Sequence, residues 1–342
     1  MEKKRTEISE YGEFGLIRHL TENIQLKNES SRIGVGDDAA VLDYKDKEIL
    51  VTNDLLLEGI HFDLTYTPLM HLGYKSAIVN FSDIYAMNGS PKQLIVSIGI
   101  SKRFCVEDME DFYEGLQTAC EKYGVDLVGG DTSASLTGLM ISITCMGEVE
   151  KGKAVLRSGA KENDLVCVTG DLGAAYMGLQ LLEREKRVFG ESAEIEPDFT
   201  GKEYLLERQL RPEARKDIIE LLAKKNIVPT SMIDISDGLS SEMLHICTNS
   251  DCGCQIYEDK IPIDYQTAAQ AEEMNMNLST AALNGGEDYE LLFTVPLSMH
   301  DEISTLEGIR IIGHICSKNK GRRLITRDGN EFDLMAQGWK AM

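Results

Sequence analysis

Six short segments of this chain set acidic residues beside glycine, serine or threonine where apolar runs end or helices begin. They are residues 34–41 (GVGDDAAV), 52–62 (TNDLLLEGIHF), 80–91 (NFSDIYAMNGSP), 129–135 (GGDTSAS), 233–242 (IDISDGLSSE) and 285–293 (GGEDYELLF). Taken singly, each has an ordinary explanation, because Asp and Gly at such places supply turns and helix N-caps. Asp237, ahead of the helically spaced Leu239, Met243 and Ile246, could simply be an N-cap. Taken together, Asp38, Asp54, Asp83, Asp131, Asp234 and Asp237 are more acids than capping requires. Carboxylate oxygens are the ligands magnesium prefers, so the series points to a centre for several Mg2+ ions.

The overall charge sharpens that reading. A formal net charge of −22 argues against nucleic-acid binding, because a phosphate backbone is held by Lys and Arg. Bound cations would also offset the chain's own repulsion for a polyphosphate such as ATP. The familiar nucleotide motifs are missing: there is no GxxxxGK[ST], Gly34 and Gly36 lack the third glycine of GxGxxG, and there is no HRD loop. Any ATP site here must follow another design.

Positioning these acids requires a folded frame. With 342 residues and 42% hydrophobic composition, the chain can bury a core and is expected to make two domains. Short β-branched runs at 49–52, 93–100, 139–148, 165–169, 231–235, 289–295 and 309–315 predict strands. Leu116, Ala119, Cys120 and Tyr123, and again Leu172, Ala175, Tyr176 and Leu179, predict amphipathic helices. The result is a mixed α/β (α+β) protein. The polar stretch 150–164 marks the expected boundary, giving domains 1–150 and 151–342, and 183–202 reads as a loop.

No run approaches the roughly 18–20 apolar residues of a membrane span, and the first ten residues are charged rather than signal-like. A cytoplasmic protein without membrane or nucleic-acid partners is expected. The eight cysteines read as reduced; Cys247, Cys252 and Cys254 are closely spaced but lack the second pair of a common zinc motif.

In order and spacing, GVGDDAAV, TNDLLLEGIHF, NFSDIYAMNGSP, LVGGDTS, LRSGA, DISDGL and GGEDYELLF resemble the thiamine-monophosphate kinase family, over about residues 12–339. The resemblance implies an aminoimidazole ribonucleotide synthetase-like fold of two domains, a homodimer paired through a β-barrel-like N-terminal interface, and ATP-dependent phosphorylation of thiamine monophosphate to thiamine diphosphate. Residue by residue, it implies Mg2+ at Asp38, Thr52, Asn53, Asp54, Asp83, Asp131, Asp234 and Asp237. It implies ATP at Tyr123, Gly130, Asp131, Arg157 and Ser236, and thiamine monophosphate at His61, Glu287 and Trp339. Asn53 departs from the threonine or serine that relatives often carry.

The residues alone leave plainer alternatives open: Tyr123 as core by its periodicity, Arg157 as an exposed turn residue, and Trp339 as a core-closing aromatic. Residues 170–178 (GDLGAAYMG) could offer helix N-terminal amides to phosphate or form a structural turn. Among related ATP-using enzymes, selenophosphate synthesis lacks its early Cys-Lys pair here, and hydrogenase maturation lacks a terminal cysteine. A phosphate monoester acceptor needs no general base, so none of these residues is assigned proton transfer; Asp38, Asp83 and Asp237 are expected nearest the transferred group.

Overall fold

The fold is described by a computed structural model that covers residues 31–33, 37–38, 40–44, 46–189 and 199–337. Its first half comprises β1 (Ser31–Ile33), β2 (Ala40–Tyr44), β3 (Lys47–Leu57), α1 (Leu69–Ala86), β4 (Ser90–Ile100), α2 (Val106–Tyr123), β5 (Asp126–Ala134) and β6 (Met140–Glu150). The strands form a six-stranded sheet in the order β1-β2-β3-β6-β4-β5, antiparallel apart from the β4–β5 pair.

The second half runs β7 (Leu165–Thr169), α3 (Ala174–Phe189), α4 (Glu203–Leu210), α5 (Lys216–Lys224), β8 (Ser231–Asp234), α6 (Leu239–Asn249) and β9 (Gly253–Tyr257). It continues through α7 (Tyr265–Glu273), α8 (Leu278–Asn284), β10 (Leu291–Val295), α9 (His300–Ile303), β11 (Ile309–Cys316), β12 (Arg322–Ile325) and β13 (Glu331–Asp333). Its seven strands are ordered β13-β12-β9-β11-β7-β10-β8.

Strand alternation assigns the core. On β4 and β6, Leu94, Val96 and Ile98 lie inward with Ile141, Ile143 and Cys145. On β7 and β10, Leu165, Cys167, Leu291 and Phe293 join that same apolar cluster, while Val166, Val168 and Leu292 pack on the other face with Leu239, Met243 and Ile246 of α6. α1 touches β3, β4 and β6 on one side and β8 on the other. It is buried nearly all round, as a helix between two layers must be.

Where α1 crosses α2, the backbones meet at two glycines: a Cβ on Gly73 would lie 1.9 Å from the Phe112 carbonyl oxygen, and one on Gly115 would lie 1.7 Å from that of Met70. This close crossing fixes the height and rotation of α1 against the first sheet.

Each expected strand overlaps an observed one, but the acidic segments are not all turns. β3 continues through Leu57, so Asn53 and Asp54 are mid-strand; Asp83 lies in the last turn of α1; Asp131 lies within β5. β5 has no apolar run to announce it. Gly130 permits its pairing, since a Cβ there would sit 2.1 Å from the Val96 carbonyl oxygen. Within 183–202, α3 extends to Phe189, and residues 190–198 lie outside the described residues.

Gly115→Ala is expected to force α1 and α2 apart at a cost of about 1–3 kcal/mol, lowering the thermal unfolding midpoint. Gly129→Ala points into open space and should leave it unchanged; calorimetry of both variants checks the contrast.

Candidate active site and metal centre

The pleat of β3 turns Thr52 and Asp54 toward α1 and Asn53 away from it. Asp83 faces them from α1, Asp234 ends β8, and Asp38 comes from the segment before β2. Asp38, Asp83 and Asp234 each offer an oxygen within 4.8 Å of the others, the one such trio of His, Cys, Asp or Glu among the described residues. Thr52 Oγ1 donates to Asp83 Oδ2 at 2.5 Å, and Ser82 Oγ donates to Asp234 Oδ2 at 2.6 Å.

So much negative charge in a buried place shifts every carboxyl upward. Burial, then the neighbouring Asp54, Asp234 and Asp38, hold Asp83 well above the carboxylate range. Burial pushes Asp54 up to about 6, and burial with Asp38 pushes Asp234 up to about 7. Asp38 is also raised by burial, although Arg157 pulls against the shift. Asp38 Oδ2 and Asp54 Oδ2 are buried without a hydrogen-bond partner. Orphaned, crowded carboxylate oxygens fit a hard divalent cation such as Mg2+.

The rim holds Arg157, which the sequence reading names, and two acids that it passed over, Asp37 and Glu242. Arg157 forms an ion pair with Asp38, and its backbone N–H donates to Asp37 Oδ1 and Oδ2 at 3.2 and 3.1 Å. Asp37 is itself raised to about 6, chiefly by burial and Asp38. The adjacent acid pair in GVGDD was the available signal. Glu242 of α6 accepts the Asp237 N–H at 3.0 Å, and burial beside Asp237 pushes its carboxyl well up. Asp237 thus lies next to a second buried acid, outside the trio. The cysteines are all free, and Cys247, Cys252 and Cys254 are buried.

Other expected residues fall elsewhere. Asn53 donates through Nδ2 to Ser142, Ile143 and Thr144, so its side chain is committed to β6. Asp131 is exposed on the edge strand β5, in register with Ser97, with β4 and β6 between it and β3. Gly130 and Asp131 line a cleft of about 470 Å³ with Tyr113, Leu127, Gly129 and Thr132. Tyr123 is not in that cleft: it is 6% exposed and packs near Phe81, and its hydroxyl donates to Glu213 Oε2 at 2.6 Å. Its helical periodicity alone indicates this packing role. Tyr113, ten residues earlier in α2, carries no sequence signal of its own.

The segment 285–290 closes the site beside Ser236. Glu287 N–H donates to Ser236 O at 2.7 Å, Tyr289 N–H to Ile235 O at 2.9 Å, and Ile235 N–H to Glu290 O at 2.8 Å. Glu287 and Tyr289 have φ of +58° and +52°, a region costly for residues with a Cβ. Asp288 accepts from the Gly173 and Ala175 amides at 2.8 and 3.4 Å. The N-terminus of α3 is therefore satisfied within the protein, the structural alternative for residues 170–178. His61 is exposed in the turn after β3, where Nδ1 accepts the Leu57 N–H at 3.0 Å. Trp339 lies outside the described residues.

Fold and centre together define the class. The model of the family "AIR synthase related protein, N-terminal domain" matches residues 36–149, the stretch that carries Asp38, Asp54, Asp83 and Asp131. The thiamine-monophosphate kinase of Bacillus subtilis (strain 168) is 34% identical over 333 residues, 96% of this chain and 98% of its own. That of Aquifex aeolicus (strain VF5) is 37% identical, covering 84% and 87%. A solved structure described as AaThiL complexed with AMPPCP and TMP superposes with a TM-score of 0.84 at 34% identity, covering 99% of both chains. The chain belongs to the thiamine-monophosphate kinase family.

Aspartates raised in the fold stabilise it fully below their unfolded value near 3.8 and lose that contribution as pH rises through about 6 to 7. The metal-free protein is therefore expected to unfold at a lower temperature at about pH 8 than at about pH 5. Added Mg2+ should raise the midpoint more at the higher pH. Calorimetry with and without chelator reads both effects; a midpoint indifferent to Mg2+ at either pH would count against the cation site.

Proposed function

We propose that this chain uses ATP to phosphorylate thiamine monophosphate, forming thiamine diphosphate. The observation that carries the reading is the trio Asp38, Asp83 and Asp234 inside a fold similar throughout to the structure bound to AMPPCP and TMP. Asp38, Asp54, Asp83, Asp234 and Asp237 would hold Mg2+, with Thr52 supporting Asp83; Asn53, committed to β6, would hold β3 in place, and Asp131 would take a cation at the β5 edge beside Gly130. Mg2+ held by these residues would supply the positive charge that offsets the negative charge of the phosphate groups.

The remaining work is positioning by the chain's own groups. The acceptor phosphate, with a second pKa of about 6, is largely dianionic at neutral pH and needs no base. Arg157 is paired with Asp38 and has the planar donor set that suits a nucleotide phosphate. Gly130 and Ser236 give ATP close approach to backbone, and Tyr113 takes the aromatic role in the cleft beside Gly130 that Tyr123, held in the core, is not placed to take. His61, Glu287 and Trp339 hold the acceptor.

The working unit is a homodimer. Leu55, Ile95 and Met140, on the outward side of the first sheet, are 49%, 36% and 40% exposed, and a twin sheet would cover them. Domain 1–150 supplies that face and most of the metal ligands; domain 151–342 supplies Arg157, Asp234, Asp237 and the acceptor segment. No helix among the described residues is long and apolar enough to cross a membrane. Eight free cysteines support residence in the reducing cytoplasm.

Incubation with ATP, Mg2+ and thiamine monophosphate is expected to yield thiamine diphosphate, with none from free thiamine, and Asp83→Asn should cut the rate by about 10²-fold or more. ATP binding without diphosphate formation would overturn the acceptor. Tyr113→Ala should raise the KM for ATP about tenfold with the acceptor KM unchanged, whereas Tyr123→Phe should leave both constants alone.

A further inference from the structure

α1 carries a lysine in its buried surface. Lys75 is 5% exposed, and its Nζ lies 3.0 Å from Glu287 Oε1 and donates to the Gln209 carbonyl oxygen at 2.9 Å. Gln209, at the end of α4 and 6% exposed, donates through Nε2 to Glu287 Oε2 at 2.8 Å. Both oxygens of the Glu287 carboxylate are therefore held from beneath, while its side chain remains 31% exposed. A lysine out of water costs several kcal/mol unless its charge is paired, and folding has placed one under a residue that also has a positive φ of +58°. Two independent costs at one carboxylate mark a position whose orientation matters.

The geometry relative to the acidic trio divides the labour along α1. Lys75 and Asp83 are eight residues apart on α1, roughly 80° apart around the helix and about 12 Å along its axis. One end of that span joins the carboxylate trio; the other fixes a partly exposed anion. An acceptor with a phosphate at one end and a cationic heterocycle further along matches that order of charges.

We propose that Lys75 and Gln209 are positioning residues that clamp Glu287 in the orientation that recognises the cationic part of the acceptor, and so set acceptor affinity without acting on ATP. The proposal rests on Glu287 being an acceptor contact. Removing a charge-assisted bond from the clamp with Lys75→Met should raise the KM for thiamine monophosphate about tenfold or more, with the KM for ATP within about twofold. Lys75→Arg should recover part of the loss. Gln209→Leu, which leaves the ion pair in place and buries no lone charge, should shift the acceptor KM in the same direction by a smaller factor. Because the clamp acts through Glu287, Lys75→Met added to Glu287→Gln should raise the acceptor KM no further than Glu287→Gln alone.

Steady-state kinetics varying each substrate, with thermal unfolding of every variant, reads these outcomes. If Glu287→Gln leaves the acceptor KM unchanged, Glu287 is not an acceptor contact and the proposal goes with it. If Glu287→Gln raises that KM while folded Gln209→Leu and Lys75→Met leave it at the wild-type value, the contact stands and the clamp is overturned. Equal rises in both KM values, or additivity with Glu287→Gln, would reduce Lys75 to a structural role.

Discussion

Mutual repulsion among buried carboxylates is the constraint around which this protein is organised. Asp38, Asp83 and Asp234 crowd within 4.8 Å, with the Asp54 carboxyl beside them, and two of the oxygens of these four residues have no partner. Such an arrangement opposes folding unless protons or cations take up the charge. Thr52, Ser82 and Arg157 each neutralise or bond part of it, but none removes it. The surrounding structure must hold the acids together against that repulsion, and the rigid packing of α1 between two sheets is how it does so.

α1 is the element through which the two halves communicate. Its glycine crossing with α2 sets its position, its apolar sides fill the layer between β3 and β8, and its polar residues are spent on the site: Ser82 on Asp234, Asp83 on Thr52, Lys75 on Glu287. A shift of this helix would move Asp83 and the Lys75–Glu287 ion pair together. The lack of room for a Cβ at Gly73 and Gly115 and the placement of Asp83 have the same origin, because packed interiors transmit displacement.

The segment 285–290 is held in another way. Its backbone is stitched to 235–236, Asp288 caps α3, and Glu290 binds Arg208 and Arg215 at 2.8 and 2.5 Å and Thr169 at 2.5 Å. Burial pushes Asp288 up to about 7 despite Arg208. Alternate residues thus point into the protein and anchor the strained backbone, leaving Glu287 partly open to the site. The interior charge network has a structural purpose here: it over-determines a conformation that local propensity disfavours.

By itself the sequence determined a good deal: a mixed α/β chain, the strands at 165–169 and 309–315, a set of acids suited to magnesium, and the kinase family. These are legible because apolar periodicity is local and because Asp beside Gly and Ser recurs in a fixed order. Only the tertiary structure decided which acids meet. Asp38, Asp83 and Asp234 come from the approach to a strand, the end of a helix and the end of a strand in the other sheet, and sequence distance says nothing about that convergence. Strand alternation sent Asn53 to β6 and Asp54 inward although they are neighbours, and edge pairing left Asp131 exposed. Helical periodicity placed Tyr123 in the core, but it could not set Tyr113 at the cleft or show that Lys75 would find Glu287, because side-chain contacts across layers are set by packing that no local pattern encodes.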